Sequence, residues 1–350
     1  MDSKAAETIA SFLKTKWSGQ LDVAIVCGSG LSHLSKGLQD PVSVKYDDIA
    51  GWPQTTVAGH KAELVFGTLG GKGVVCMRGR FHTYEGYDIR KTSLPILVFK
   101  FLGVKLLVVT NAAGGLNPSF EVGDFMVIRD HLNIPGLAGK HPLVGKNDEK
   151  LGPRFPSTSD NYDTDMQAIA FKVGSDLGIT SKMRIGTYCF VSGPTYESAA
   201  EVMFLYNNGG DAVGMSTVPE TVVAHYCGIK VLGVSLITNK SIVDPDDKNV
   251  ATHDEVLAAV QGETEENMLK LISKTIEAYN PAGAGEGDDA KAPAPVPPPR
   301  ASAAQRLKIL EKRVTALSYT VGVLAIGLLA SVGAAYAAAK HMAPTCPKKK

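Results

Sequence analysis

The sequence predicts an α/β domain built on a largely buried sheet. Up to about residue 280, short β-branched runs alternate with longer helical patterns, as they do in α/β folds. A chain of 350 residues with 44% hydrophobic content can supply a sizeable core. No internal repeat is visible, and one domain fits this region better than two. The strand candidates are Asp22–Cys27, Glu63–Leu69, Val74–Met77, Lys105–Thr110, Phe125–Ile128, Ile185–Val191, Ala212–Met215 and Val231–Ile237. Helices are expected over Ser3–Trp17, Arg90–Leu102, Thr164–Leu177, Ser198–Asn207, Pro219–Cys227 and His253–Ala278.

Charge and cysteine content exclude several function classes. With 36 basic and 35 acidic residues the formal charge is +1, so no general field draws the body to nucleic acid or an anionic membrane. Any anion must be held locally. The five cysteines (Cys27, Cys76, Cys189, Cys227, Cys346) lie far apart without C-x-x-C spacing, which argues for reduced thiols and no zinc. Acids and lysines interrupt the first residues, where a secretory signal needs an apolar run, so the body is expected to face the cytosol.

Composition changes at Pro281, where PAGAGEGDDAKAPAPVPPPR reads as a linker. The expected organisation is a globular domain over 1–280, a linker over 281–300, a basic amphipathic juxtamembrane segment over 301–313, a transmembrane helix over 314–339 and a basic tail over 340–350. Crossing the hydrocarbon core takes roughly 20 apolar residues, and the uncharged stretch from Val314 to Ala339 has that length with basic residues on both sides. An Ala-rich helix packed on the body or in a coiled coil is the alternative, since Leu307, Leu310, Val314 and Leu317 keep rough heptad spacing. A spanning helix so near the end makes this a tail anchor.

The candidate chemistry lies where apolar runs end. DVAIVCGSGL places Gly28-Ser29-Gly30 before a helix start, where backbone N–H groups and a hydroxyl can surround an anion. His33 stands where a dinucleotide fingerprint needs its last glycine and no G-K-[ST] is present, so a plain tight turn stays open. RGRFHTYEGY packs Arg80, His82, Tyr84 and Glu85 together. Arg80 can hold two oxyanion oxygens in its planar fork, and His82 can donate or respond to the protonation state of phosphate. An ordinary charged surface loop is the competing reading. VVTNAAGGLNP is expected to be a loop whose small residues, Ala112 among them, let a ligand approach the main chain. DAVGMSTVPE offers Ser216 as a second anion-binding hydroxyl, with Met215 equally suited to the core. Tyr196 and Glu197 follow another strand, and Thr238 and Asn239 end the last. A carboxylate and an amide suit a purine edge, although either can cap a helix or turn.

CGSGL, TTVAGH, GRFHTYEGY, TNAAGGLNPSFEVGD, GPRFPSTSDNYD, GPTYES, AVGMSTVPE and SLITNK occur in family order, and from about Asp22 to about Ala278 the sequence resembles the trimeric class of purine nucleoside phosphorylases. The resemblance implies a phosphorylase-like single-domain fold, a twisted mixed central sheet flanked by helices. It implies phosphate binding by Ser29, Arg80, His82, Ser216 and the backbone of Ala112, with His60 close by. It assigns Tyr84, Met215 and His253 to the ribose and has Phe155 reach the neighbouring subunit's sugar, which requires an oligomer, a homotrimer by the resemblance. Tyr196, Glu197, Thr238 and Asn239 would hold the base.

The implied reaction is reversible phosphorolysis of 6-oxopurine (deoxy)ribonucleosides to free base and α-(deoxy)ribose 1-phosphate. No metal or organic cofactor is implied, because phosphate is itself the nucleophile, and no nucleic acid partner is expected. Asn239, Glu197 and His82 would carry the catalysis. Three departures accompany the match: Tyr196 and Ser241 add hydroxyls near the base, with consequences for adenosine; His33 replaces a usual small residue and is expected to narrow or recharge the phosphate end; and the tail lies outside the resemblance. Methylthioadenosine phosphorylase and a catalytically silent, membrane-tethered binding module are the rival readings.

Overall fold

The computed structural model describes residues 2–57, 61–241 and 252–281. All belong to the first of the two units into which the chain divides, Met1–Pro298. The expected juxtamembrane segment, spanning helix and basic tail, and nearly all of the linker, lie outside the described residues. Among the described residues no helix is long and apolar enough to cross a membrane.

The strands are β1 (Val23–Val26), β2 (Gln39–Lys45), β3 (Glu63–Leu69), β4 (Lys72–Arg78), β5 (Leu106–Gly115), β6 (Phe125–Asn133), β7 (Met183–Phe190), β8 (Ala212–Gly214) and β9 (Lys230–Lys240). They form one mixed sheet of order β2-β3-β4-β1-β5-β8-β7-β6-β9. β9 also pairs with β5, in parallel from Leu106↔Lys230 to Gly115↔Lys240, so the far half of the sheet curls back on itself. The helices are α1 (Ser3–Lys16), α2 (Ile89–Thr92), α3 (Leu94–Leu102), α4 (Ile134–Leu137), α5 (Thr164–Asp176), α6 (Ala199–Asn207), α7 (Val218–Tyr226), α8 (His253–Ala259) and α9 (Glu263–Ala278).

Central strands alternate between two cores, as the two-residue period of a pleated strand requires. Ala24, Val26, Leu107 and Val109 face the side covered by α1, α3 and α7. Val23, Ile25, Leu106 and Val108 face the side covered by α5 and α9. The result is a helix–sheet–helix sandwich.

Several expectations need correction. VVTNAAGGLNP is not wholly a loop: Asn111 to Gly115 continue β5, because β9 offers hydrogen-bonding partners along that whole stretch. β2 escapes the sequence pattern because it is an edge strand on which only Val44 is buried. The expected helix over Arg90–Leu102 divides at Ser93, with proline in the first turn of α3. The one over His253–Ala278 divides at Gly262, whose φ of 68° lies in the left-handed region. The short helix α4 is an addition to the expected set.

Topology positions the site. β4, β1, β5 and β9 are mutually parallel, so their carboxyl ends share one edge. β8 runs against β5 but pairs only with its last two residues, which brings the end of β8 back over Asn111. Gly28, where β1 ends, must be glycine: a Cβ there would lie 2.7 Å from Asn111 Cα and 2.8 Å from the Thr110 carbonyl oxygen, both backbone atoms.

Candidate active site

A cavity of about 460 Å³ opens along that shared edge. Its walls include Ser29, Arg80, His82, Tyr84, Ala112, Tyr196, Glu197, Met215, Ser216, Thr238 and Asn239, which brings together side chains from six separate strand ends. Tyr84 joins Arg80 and His82 there through a one-turn 3-10 helix, Thr83–Glu85, and not through an extended backbone. Phe155 lies apart at 87% exposure. His60 lies outside the described residues, and His253 is described only as the first residue of α8. His33 does not line the cavity. It turns away toward α9, so the expectation that it recharges the phosphate end is not met.

One end of the cavity is organised by Arg80, 1% exposed and therefore dependent on partners for its charge. Its Nε donates to Glu220 Oε1 at 3.2 Å, and Nη2 lies 3.0 Å from Glu220 Oε2. Nη1 donates to the Thr110 carbonyl at 2.9 Å and to Ser216 Oγ at 3.0 Å. Nε and Nη2 thus face the Glu220 carboxylate side by side, and Nη1 is the guanidinium nitrogen that meets the pocket-lining Ser216 hydroxyl. Burial raises the Glu220 carboxyl, and the adjacent guanidinium pulls it back toward ionisation.

Thr217 completes this end under backbone strain. Its φ of 76° and ψ of −55° form a γ-turn, with Val218 N donating to the Ser216 carbonyl at 2.9 Å, a conformation unfavourable for a β-branched residue. The turn places Thr217 Oγ1 where Asn111 Nδ2 donates to it at 2.9 Å, and 3.1 Å from Ser216 Oγ. Buried Tyr188 accepts from Ser216 N at 3.4 Å.

His82 is oriented by Glu85. Glu85 Oε1 accepts from His82 N at 2.9 Å and lies 3.0 Å from Nδ1, while Oε2 accepts from Thr56 N at 2.7 Å and Thr56 Oγ1 at 2.8 Å. Burial opposes ionisation of Glu85, but these bonds outweigh it and hold the carboxyl at about 2. An acceptor-only carboxylate assigns the ring proton to Nδ1, which leaves Nε2 unprotonated in the neutral imidazole. Burial lowers the His82 pKa, with the Glu85 bond opposing it. The ring stacks on Tyr84 at 4.6 Å between centroids.

Among the described residues that line the other end, Glu197 is the charged one. Thr238 Oγ1 donates to Asn239 Oδ1 at 3.2 Å, which orients the amide with its oxygen toward Thr238 and leaves its NH₂ group to donate elsewhere. Glu197 is not a cap. Ser198 caps α6 and forms a capping box with Glu201, so the neighbouring Glu197 is free to face the cavity. Burial raises its pKa. Gly193, at φ 66°, allows Met215 and Tyr84 to close in, since a Cβ would run into Met215 Sδ and lie 3.1 Å from Tyr84 Cδ1.

Sequence reasoning missed Glu220, Thr217, Thr56 and the orienting role of Glu85. Glu220→Ala should strand a buried guanidinium and cost roughly 3–5 kcal/mol of stability. Urea denaturation measures it; a loss below about 1 kcal/mol would show that Arg80 does not depend on this partner.

Residues 22–277 match the phosphorylase superfamily. Purine nucleoside phosphorylase of Rattus norvegicus is 51% identical over 250 residues, covering 71% of this chain and 86% of the rat protein. Two crystal structures of Schistosoma mansoni purine nucleoside phosphorylase are similar. The complex with adenosine has TM-score 0.76 at 43% identity, covering 79% of this chain and 98% of that one. The complex with inosine has TM-score 0.75 at 43% identity, covering 79% and 97%. The chain belongs to the phosphorylase superfamily and, within it, to the purine nucleoside phosphorylases.

Proposed function

We propose that the pocket carries out reversible phosphorolysis of 6-oxopurine nucleosides, inosine and guanosine and their 2′-deoxy forms, releasing the base and α-(deoxy)ribose 1-phosphate. One observation carries this reading: a single cavity joins a buried guanidinium and the Ser216 hydroxyl it holds to a base end made of an amide NH₂ and a carboxylate. Phosphate binds against Arg80, Ser216, Ser29 and the main chain near Ala112, with His60 nearby. Unprotonated Nε2 of His82 accepts from a protonated phosphate oxygen, or donates when the imidazole is charged. Tyr84, Met215 and His253 meet the sugar, Tyr196 covers the base and Thr238 holds Asn239 in place.

As the glycosidic bond breaks, the sugar becomes oxocarbenium-like and the purine gains electrons. Bound phosphate stabilises the first charge, while Asn239 donates to the base and Glu197 accepts from its N–H. Phosphate then takes C1′ with inversion. Because phosphate supplies the nucleophile, the reaction calls for no metal or organic cofactor.

A second substrate class has a specific observation in its favour. A Cβ on Gly114 would lie 2.8 Å from Ser241 Oγ and 3.4 Å from Asn239 Nδ2, so the Ser241 hydroxyl stands beside the base end. A hydroxyl can accept from a 6-amino group as readily as it donates to a 6-oxo group, which favours tolerance of adenosine.

The working enzyme is proposed to be a homotrimer in which Phe155 covers the neighbouring subunit's sugar. Phe155 at 87%, Leu137 at 82%, Phe204 at 57% and Val144 at 54% exposure are the kind of apolar surface that a partner subunit buries. The sequence of 314–339 supports a tail anchor that holds the body at the cytosolic face of a membrane.

Turnover of inosine should far exceed that of methylthioadenosine, with adenosine in between; a preference for methylthioadenosine would overturn the 6-oxopurine assignment. Asn239→Ala should lower kcat by about 100-fold or more with the fold retained, on the scale of one lost transition-state donor, and unchanged kcat would remove its role. Phe155→Ala should raise the nucleoside KM while sedimentation still reports a trimer; a wild-type monomer at micromolar concentration would sink the subunit-sharing scheme. The full chain should resist carbonate extraction from membranes and lose that resistance on truncation at Pro281; a freely soluble full chain would end the anchor proposal.

A further inference from the structure

His33 belongs to a 3-10 turn, Ser32–Gly37, that follows Gly28-Ser29-Gly30, and it stands between the glycine loop, which reaches the pocket at Ser29, and α9, which follows the pocket-lining α8. The residue is 6% exposed. Its Nδ1 lies 3.3 Å from the Gly30 carbonyl oxygen and 3.5 Å from Glu265 Oε1 in the first turn of α9. Both are acceptors, so Nδ1 carries the hydrogen, which it gives to the Gly30 carbonyl with the Glu265 carboxylate beside it. Buried Nε2 has no hydrogen-bond partner among the described residues. Burial lowers the His33 pKa, and the Glu265 carboxylate opposes it.

Two packing contacts flank this link. A Cβ on Gly30 would lie 3.1 Å from Val260, in the turn between α8 and α9, and one on Gly37 would lie 3.1 Å from Ser273 Oγ of α9. The glycine loop and its 3-10 turn also pack Leu34 and Leu38 with Met268 and Ile272 of α9, and two polar contacts join them to Glu265 Oε1: an exposed one from Lys36 Nζ at 3.5 Å and the buried one from His33. Each side carries part of the pocket: Ser29 lines it from the loop and Val256 from α8.

We propose that His33 is a positioning residue that makes phosphate and nucleoside binding interdependent. Phosphate fixes the loop at Ser29, the imidazole passes that constraint through Glu265 to α9, and α8 is thereby set against the nucleoside. The inference rests on the phosphorolysis reading above.

The test is the affinity of a carbon-linked inosine analogue, which cannot be cleaved, measured by calorimetry with and without saturating inorganic phosphate on the full-length protein. Wild type should bind the analogue about tenfold more tightly with phosphate, within the usual range of coupling between sites. His33→Ala and Glu265→Ala should reduce that factor to about twofold or less, and His33→Asn, whose amide can still donate to Gly30, should restore part of it. A role in folding alone would lower Tm without changing the factor. If His33→Ala does not fold, Glu265→Ala breaks the same link from a partly exposed position. A wild-type factor near one, or variants that keep the full factor, overturns the proposal. Inosine turnover by wild type separates the two layers: no turnover defeats the activity assignment, whereas normal turnover with unaltered coupling defeats the role of His33 alone.

Discussion

A buried positive charge sets the terms for the rest of the molecule. Arg80 comes off β4 into a site where water cannot compensate it, so protein atoms must do so. Glu220 supplies the opposite charge from α7, the Thr110 carbonyl supplies an acceptor from β5, and Ser216 supplies a hydroxyl just beyond β8. Meeting all three fixes how these elements approach one another. The γ-turn at Thr217 is the local consequence: the chain must reverse sharply between Ser216, which faces the cavity, and Glu220, which lies beneath the guanidinium. A less strained turn would separate the hydroxyl from the carboxylate.

Residues whose chemistry follows from a short motif at a strand end are legible in the sequence. Gly28-Ser29-Gly30, Arg80 with His82, and Thr238-Asn239 each sit where an apolar run stops, and parallel strands bring such ends to one edge. Residues whose role depends on a distant partner are not legible. Glu220 looks like an acidic residue in a helix's first turn, which is favourable there for an unrelated reason, and nothing near it points to an arginine 140 positions away. The Glu85–Thr56 bonds span 29 residues and join two polar segments with no periodic pattern. β5 overruns its expected end for a comparable reason. Asn111, Ala112 and the glycines have little strand propensity, and it is pairing with β9 that keeps them extended.

The same division explains His33. A histidine in place of a small residue beside the glycine loop suggests an effect on phosphate, because the sequence shows only the loop. In three dimensions the 3-10 turn points the ring outward onto α9, so its effect is on how the loop is held and not on the field the anion meets.

The two ends of the pocket differ in how their charge is tolerated, and that difference matches the reaction. At the end proposed to receive phosphate, the positive charge of Arg80 is already balanced by Glu220 in the protein itself. At the base end Glu197 has a raised pKa because burial disfavours its ionised form and no cation is paired with it among the described residues. For a folded-state pKa above the unfolded value, the stabilising contribution is complete at low pH and is lost as pH rises through the folded pKa; near neutrality the Glu197 carboxylate is therefore a cost to the fold. In the proposed reading a base N–H donating to that carboxylate offsets the cost when the nucleoside binds, while the electrons that the purine gains during bond breaking are met by the Asn239 NH₂. Stability is withheld at Glu197, where a bound partner can return it, and concentrated in the Arg80–Glu220 frame, which is balanced without one.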